Sequence, residues 1–368
     1  MFIFGTRPEA VKLAPLIAAP ELDSIVCSTG QHREMLAQVL EFFQIKPHYE
    51  LKIMRKNQTL SALTARVLLK LSQIILPTQP DYIVVQGDTT SALAGALVGY
   101  YHKIPVLHVE AGLRSGDRYA PYPEELNRRL ISQLADGHFA PTRTAAKNLK
   151  KEGLAKNVFV VGNTGIDALL WGLQKIKQNP RVYAKYFSFL AEDKKIILVT
   201  GHRRENFGKK FEQICLALRD IVRQNKDVQI VYPVHLNPQV QKPVRQILQG
   251  EPDIHLLKPL AYPRLLWLLA KCQLVLTDSG GLQEEAPALG KPALVLREVT
   301  ERPEGVRVGG AKLVGTSRKD IAREARLLLV DKRAYDKMAK PRKPYGDGKA
   351  SRRIVNILRG AFLGVRLA

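Results

Sequence analysis

The sequence predicts an α/β protein made of two doubly wound, Rossmann-like domains, and three observations carry that prediction. Short apolar runs alternate with helical patterns along the chain, the order required by a parallel sheet with helical crossovers. The alternation runs twice, restarting after Gly162-Asn163-Thr164-Gly165. The length, 368 residues, is long for one domain and comfortable for two. The predicted division is an N-terminal domain over 1–165, a C-terminal domain over 166–350, and a helix over 351–368 that packs back on the first domain. The domains are expected to face a common cleft.

In the first series, strands are predicted over 2–4, 25–28, 81–85, 105–109, 137–140 and 158–161. The first is short enough to have lost residues ahead of Phe2. Gly5-Thr6-Arg7 turns from strand to helix, with Pro8 suited to a first helical turn. A strongly periodic helix is predicted over 59–76, a small-residue helix follows Thr90, and another spans 125–134. The second series gives strands over 195–200, 228–232, 254–257, 274–276, 293–296 and 312–314, with an amphipathic helix from about Ala350.

Composition excludes several classes. An apolar fraction of 45% is enough for a full core. Cys27, Cys215 and Cys272 lie far apart and form no CxxC, which fits a reducing compartment. No secretory h-region is read at the N-terminus and no stretch is read as long enough to span a membrane, so a soluble cytoplasmic protein is expected. The net charge of +23 invites nucleic acid or an anionic membrane as partner. The basic residues are dispersed, however, with one denser tract over 332–353, and no nucleic-acid-binding signature accompanies them. A solvated basic surface is the expected cause, with neither nucleic acid nor membrane as partner. The helix over 59–76 is expected in the core, with a dimer face as its other use.

Chemistry concentrates after strands, where ligands bind in open α/β sheets. Arg7, Asp88, Glu110, His202, His235 and Ser279 each follow a predicted strand. One such residue is ordinarily a cap or turn former; six together point to a site. The stretch Val275-Leu-Thr-Asp-Ser-Gly-Gly-Leu-Gln-Glu-Glu285 reads as a buried strand, a tight turn and a helix start. Asp278 and Ser279 are placed to cap that helix, and Gly280 and Gly281 leave its first N–H groups bare for an anion.

These residues also carry a resemblance. Phe4-Gly-Thr-Arg-Pro-Glu-Ala-Val-Lys12, Gly87-Asp-Thr-Thr90, His108-Val-Glu-Ala-Gly-Leu-Arg114, Pro123-Glu-Glu-Leu-Asn-Arg128, Gly201-His-Arg-Arg-Glu-Asn206, Asp278-Ser-Gly-Gly-Leu-Gln-Glu-Glu285 and Thr300-Glu-Arg-Pro-Glu304 resemble the non-hydrolysing UDP-N-acetylglucosamine 2-epimerases. The match runs from Phe4 to about Arg353. It implies a glycosyltransferase-B type fold and reversible inversion at C2, between UDP-N-acetylglucosamine and UDP-N-acetylmannosamine. No metal or other cofactor is implied, and the partner is the nucleotide sugar itself. A homodimer and a place in cell-envelope polysaccharide synthesis are also expected.

The family route eliminates UDP to give 2-acetamidoglucal and adds it back with the proton on the other face. The resemblance assigns Asp88, Glu110 and Glu124 to proton transfer, without saying which serves which face. From local sequence alone, Glu124 is a first-turn acid favoured by the helix dipole. The diphosphate falls to Ser279, Gly280 and Gly281, with Arg7 and His202 as side-chain donors; Arg suits phosphate through its fixed fork. Glu285 is assigned to the ribose, Arg302 to the nucleotide, and Lys12 to a further charge near the ligand. Glu284 is read as helix-turn electrostatics or a cap contact. The uracil segment departs from the family pattern, with Leu260 and Leu265 where a Gln and an aromatic are usual. Gln31, Gln58, Arg203 and His235 resemble the residues of an activator site for a second UDP-N-acetylglucosamine. Two rival enzymes are a glycosyltransferase of the same fold and a hydrolysing epimerase releasing N-acetylmannosamine.

Overall fold

The computed structural model describes residues 1–30, 33–55 and 58–362. The chain forms two compact units, one from Met1–Trp171 together with the segment from Gly346 onward, the other from Gly172–Tyr345. The expected boundaries at 165 and 350 are thus displaced. The helix Thr164–Gln178 runs unbroken through the first of them. At the second, the chain is already engaged by the first unit before Ala350, since Gly346 lies against Gly162 and Asn163. The helix Ala350–Ile357 follows, and Asp167 accepts the Ala350 N–H at 3.2 Å and the Ser351 N–H at 2.8 Å.

Among the described residues, the first unit holds a seven-stranded sheet: β1 (Phe2–Phe4), β2 (Val26–Ser28), β3 (Tyr49–Glu50), β4 (Ile83–Gln86), β5 (Val106–Val109), β6 (Gly137–Ala140) and β7 (Val158–Val160). Every pairing is parallel, in the order β3-β2-β1-β4-β5-β6-β7. The second unit holds six: β8 (Lys195–Thr200), β9 (Val228–Pro233), β10 (Ile254–Leu257), β11 (Leu274–Thr277), β12 (Ala293–Val295) and β13 (Ala311–Leu313). They too are all parallel, in the order β10-β9-β8-β11-β12-β13. Both sheets wind outward in two directions from a central pair, the doubly wound arrangement. The strand not foreseen, β3, has only two residues, too few for a readable alternation.

Each sheet is covered on both faces, so its strands read as continuous apolar runs. In the first unit Ile3, Ile83, Val85 and Val106 pack with Val67, Leu71, Ile75 and Val98 from the flanking helices. The helix Thr90–Tyr101 lies close on the sheet because its glycines allow it. A Cβ on Gly99 would overlap Val106, and one on Gly95 would press on Val85 and Ile3. In the second unit Ile197, Val199, Ile230 and Leu276 pack with Phe211, Leu218 and Ile321.

One expectation is overturned. The helix Leu60–Thr78, 19 residues, is long and apolar enough by length and composition to cross a membrane. Arg66 and Lys70 interrupt its apolar pattern in the sequence, but both turn aside: Arg66 Nη1 donates to the Ile53 carbonyl at 2.7 Å and Lys70 Nζ to the Leu51 carbonyl at 2.8 Å. Leu63, Val67, Leu71 and Ile75 face the core, while Leu69 and Leu76 are exposed.

Candidate active site

A doubly wound sheet opens at its carboxyl edge where the strand order reverses. That point lies between β1 and β4 in the first unit and between β8 and β11 in the second. Arg7 and Asp88 follow the first pair; His202 and Ser279 follow the second.

In the first unit β1 passes through Gly5 and Thr6 into the helix Arg7–Ile17. Thr6 is its N-cap, a proline stands in its first turn, and Glu9 completes a capping box by accepting the Thr6 N–H at 2.7 Å. Arg7 opens the helix, and Lys12 reaches Glu110 as an ion pair. After β4, Gly87 turns the chain at φ 72° and Thr89 caps the next helix, leaving Asp88 on the turn between them. The Asp88 carboxylate pairs with Arg128, and its carbonyl accepts from Asn127 Nδ2 at 2.9 Å. Both partners belong to the helix Glu124–Leu134, so the turn bearing Asp88 is tied to the helix that Glu124 opens. Buried His108 meets the Gly87 carbonyl through Nε2 at 2.8 Å. A carbonyl only accepts, so the ring proton sits on Nε2.

Glu110 follows β5 at φ 66°, a left-handed conformation that costs a non-glycine residue on the order of 1–3 kcal/mol. Gln86 Nε2 donates to its Oε2 at 3.1 Å, and Lys12 pairs with the same oxygen. A residue held out of its preferred conformation by two donors is the mark of a functional position. The fold therefore brings Lys12, Asp88, Glu110 and the helix start at Glu124 together. It gives Asp88 and Glu110 separate cations, Arg128 and Lys12.

In the second unit the Asp278 carboxylate is fully buried. It does not cap the helix Gly280–Ala288 as expected. It turns back to accept the N–H groups of His202 and Arg203, each at 2.9 Å, and Asn206 Nδ2 at 3.3 Å. The donors of the 201–206 loop have no strand or helix to satisfy them and so claim the carboxylate. Ser279 is the N-cap, with no side-chain capping bond. The two glycines then divide. A Cβ on Gly280 would collide with the Arg302 guanidinium, whereas one on Gly281 would meet nothing within 4 Å. Gly280 admits Arg302 to the helix start, and Gly281 leaves that start open to a ligand.

Arg302 is fixed from two sides. Its Nε donates to Glu284 Oε1 at 2.7 Å, and its Nη1 pairs with Glu301. Glu284, expected as helix-turn electrostatics, is instead the buried anchor of this arginine. Burial pushes the Glu301 carboxyl up, but Arg302, Arg297 and Arg203 around it outweigh burial and hold it well below the ordinary range. Glu285 is half-buried on the next position. The His202 ring stacks on His235 with centroids 5.7 Å apart, and its Nδ1 lies 3.2 Å from Asp278.

Of the activator candidates, Arg203 and His235 belong to this neighbourhood. Gln58 lies in the first unit, where its Oε1 accepts from Arg66 Nη1 at 2.7 Å and from the Arg55 N–H at 3.2 Å. Gln31 falls outside the described residues. In the uracil segment Leu260 is buried and Leu265 partly so. The sequence reading passed over Glu9, His108 and Arg128. Only Glu9 carried a local signal, the Thr6-x-x-Glu9 capping box.

Two sheets in this strand order define a glycosyltransferase-B-like protein. One switch point carries paired carboxylates, and the other carries a glycine turn with a clamped arginine. The family described as UDP-N-acetylglucosamine 2-epimerase matches residues 15–359. The UDP-N-acetylglucosamine 2-epimerase of Escherichia coli K12 is 50% identical over 365 residues, 97% of each chain. The crystal structure of the Neisseria meningitidis UDP-GlcNAc 2-epimerase bound to UDP-GlcNAc superposes with a TM-score of 0.93 at 44% identity, covering 97% of this chain and 98% of that one. The Methanocaldococcus jannaschii enzyme in complex with UDP-GlcNAc and UDP gives 0.83 at 36% identity, with 97% and 98% covered. The chain belongs to the UDP-N-acetylglucosamine 2-epimerase family.

Two buried imidazoles beneath the carboxylate edge give a pH dependence. Burial pushes His108 down to about 3 and His138 down to about 4. Unfolding restores a pKa near 6.5, so the unfolded chain binds more protons between those values. Stability is therefore full above about pH 6.5 and falls on acidification, by about 1.4 kcal/mol per pH unit for each imidazole. Urea unfolding at pH 7, 6 and 5 should show this slope, and His138→Gln should remove about half of it.

Proposed function

We propose that the protein interconverts UDP-N-acetylglucosamine and UDP-N-acetylmannosamine by inversion at C2 without net hydrolysis. The observation that carries the reading is the cationically paired carboxylate set at the first switch point: Asp88 with Arg128, and Glu110 with Lys12 at a left-handed φ. The C2 proton of the sugar is not acidic enough for simple enolisation, so the reaction proceeds by elimination of UDP to 2-acetamidoglucal and re-addition. Ser279, the open helix start at Gly281, Arg302, Arg7 and His202 hold the departing diphosphate, and a helix N-terminus favours the charge that develops there. Glu285 receives the ribose. Asp88, Glu110 and Glu124 move protons at C2. A glycosyltransferase reading accounts for the anion turn but leaves these three carboxylates without work.

Three further proposals accompany the reaction. Arg203 and His235 contact a second nucleotide sugar acting as activator. The product feeds cell-envelope polysaccharide synthesis in the cytoplasm, a setting supported by three buried free thiols; subcellular fractionation tests it. The protein is a homodimer through the helix Leu60–Thr78. Ala62, Ala65, Leu69 and Leu76 make an exposed, uncharged stripe on a chain of net charge +23, so this face is where a second copy meets least repulsion. Leu69→Glu should yield a monomer in sedimentation, and an unchanged dimer would place the interface elsewhere.

The reaction is tested by incubation with UDP-N-acetylglucosamine in heavy water. The expected proton spectrum shows deuterium at C2 and a UDP-N-acetylmannosamine product; the absence of both exchange and a new sugar nucleotide would sink the reading. Asp88→Asn and Glu110→Gln should abolish exchange and leave UDP binding by calorimetry largely intact. Ser279→Ala should do the opposite, weakening binding more than exchange per bound substrate. A hyperbolic forward rate, with UDP-N-acetylmannosamine turning over unaided, would count against the activator.

A further inference from the structure

Glu9 is a capping-box glutamate, and a capping box needs only one bond from its acid, to the N–H of the N-cap. Glu9 makes more. Its Oε2 accepts the Thr6 N–H at 2.7 Å and the Gly5 N–H at 3.0 Å, and its Oε1 accepts the Thr89 hydroxyl at 2.6 Å. The first two donors lie in the turn after β1, the third in the turn after β4, across the reversal of strand order. The side chain is 1% exposed. A helix cap alone calls neither for this burial nor for a bond 80 residues away in sequence.

The two turns joined in this way carry Arg7 and Asp88. Thr89 immediately follows Asp88 and caps the helix Thr90–Tyr101 by accepting the Ala92 N–H at 3.1 Å. Its hydroxyl is thereby used twice, as acceptor for the helix and as donor to Glu9. On the other side of Asp88, Gly87 is held by His108. We propose that Glu9 is a positioning residue for the epimerisation, fixing the Asp88 turn against the Arg7 turn, so that the proton-transfer carboxylate and Arg7 on the adjoining turn keep one spacing. The second unit repeats the device, with Asp278 joining the turn after β11 to the turn after β8. Burial pushes the Glu9 carboxyl up, while the bonds from Thr89, Thr6 and Gly5 oppose that rise, as expected of an acid kept in the core for its acceptors.

The inference rests on the assignment of Asp88 above, and the test separates the two. Glu9→Gln, Glu9→Asp and Glu9→Ala are compared for kcat and KM of C2 epimerisation and for thermal midpoint. Gln can aim its carbonyl oxygen at Gly5 and Thr6 and donate its amide to Thr89 Oγ1, so every bond is replaced and kcat should stay within about threefold of the parent. Asp keeps an acid in the first turn but is one methylene short of spanning both turns. Since misplacing a reacting group by about 1 Å can cost about a hundredfold, Glu9→Asp should lose tenfold or more in kcat, with KM and midpoint little changed. Glu9→Ala frees both turns and should lower kcat and raise KM together. Parental kcat in Glu9→Asp would overturn the proposal, as would a Glu9→Gln that folds normally yet is as impaired as Glu9→Ala. Losses that track the thermal midpoint across the series would also overturn it, reducing Glu9 to a cap. If instead Asp88→Asn still exchanges deuterium at C2, the assignment of Asp88 fails, whatever the Glu9 variants do.

Discussion

A backbone N–H that leaves a strand at a point of reversed order has no neighbouring strand to receive it, and burying it without an acceptor is costly. Both units meet that constraint in the same way, with a buried carboxylate. Glu9 accepts the N–H groups of the turn after β1 and the Thr89 hydroxyl of the turn after β4, and Asp278, on the turn after β11, accepts the N–H groups of the turn after β8. Four of the residues proposed for the reaction sit on or beside these turns. Arg7, Asp88, His202 and Ser279 are exposed enough to act because their backbones are held by a residue that is not. The acids at the sheet edges thus divide into buried ones that brace and more exposed ones, the latter being those proposed to face the ligand.

The same division applies to the arginine cluster of the second unit. Arg302, Arg297 and Arg203 surround Glu301, and Glu284 takes the far side of Arg302. A guanidinium next to a helix N-terminus is electrostatically uncomfortable until an anion arrives. The two glutamates hold it there in the meantime, so little side-chain entropy remains to be lost on binding. Removing either acid would leave the guanidinium held from one side only.

Much of this was legible in the sequence. The strands after which Arg7, Asp88, Glu110, His202 and Ser279 fall are short, apolar and flanked by turn residues, and their period and punctuation are local signals. Gly137–Ala140, Lys195–Thr200 and Ile254–Leu257 are found with the expected bounds. The misreadings share one cause, a partner distant in sequence. Asp278 looked like a helix cap because Ser-Gly-Gly follows it; its true donors are more than 70 residues away. Glu284 looked like helix-turn electrostatics because Arg302 comes from another loop. Gly280 looked like room for phosphate because nothing local shows that Arg302 fills it. Arg66 and Lys70 masked how apolar the predicted helix is, because their acceptors, the carbonyls of Ile53 and Leu51, belong to a preceding loop.

The chain crosses between the units twice, within the helix Thr164–Gln178 and again at Tyr345–Gly346. The second unit is therefore an uninterrupted insert, Gly172–Tyr345, while the first is assembled from two pieces. Those pieces are stitched by Asp167 to Ala350 and Ser351, and by Arg353 to the Val161 carbonyl. Dissection of the protein is accordingly lopsided. The second unit can be cut out as one gene segment. A simple truncation after Trp171 would strip the other unit of its closing helix and bare the acceptors of Asp167. Gly348 comes against Leu170, so a short graft from Trp171 to Gly346 is the route by which the carboxylate-bearing unit can be made to stand alone.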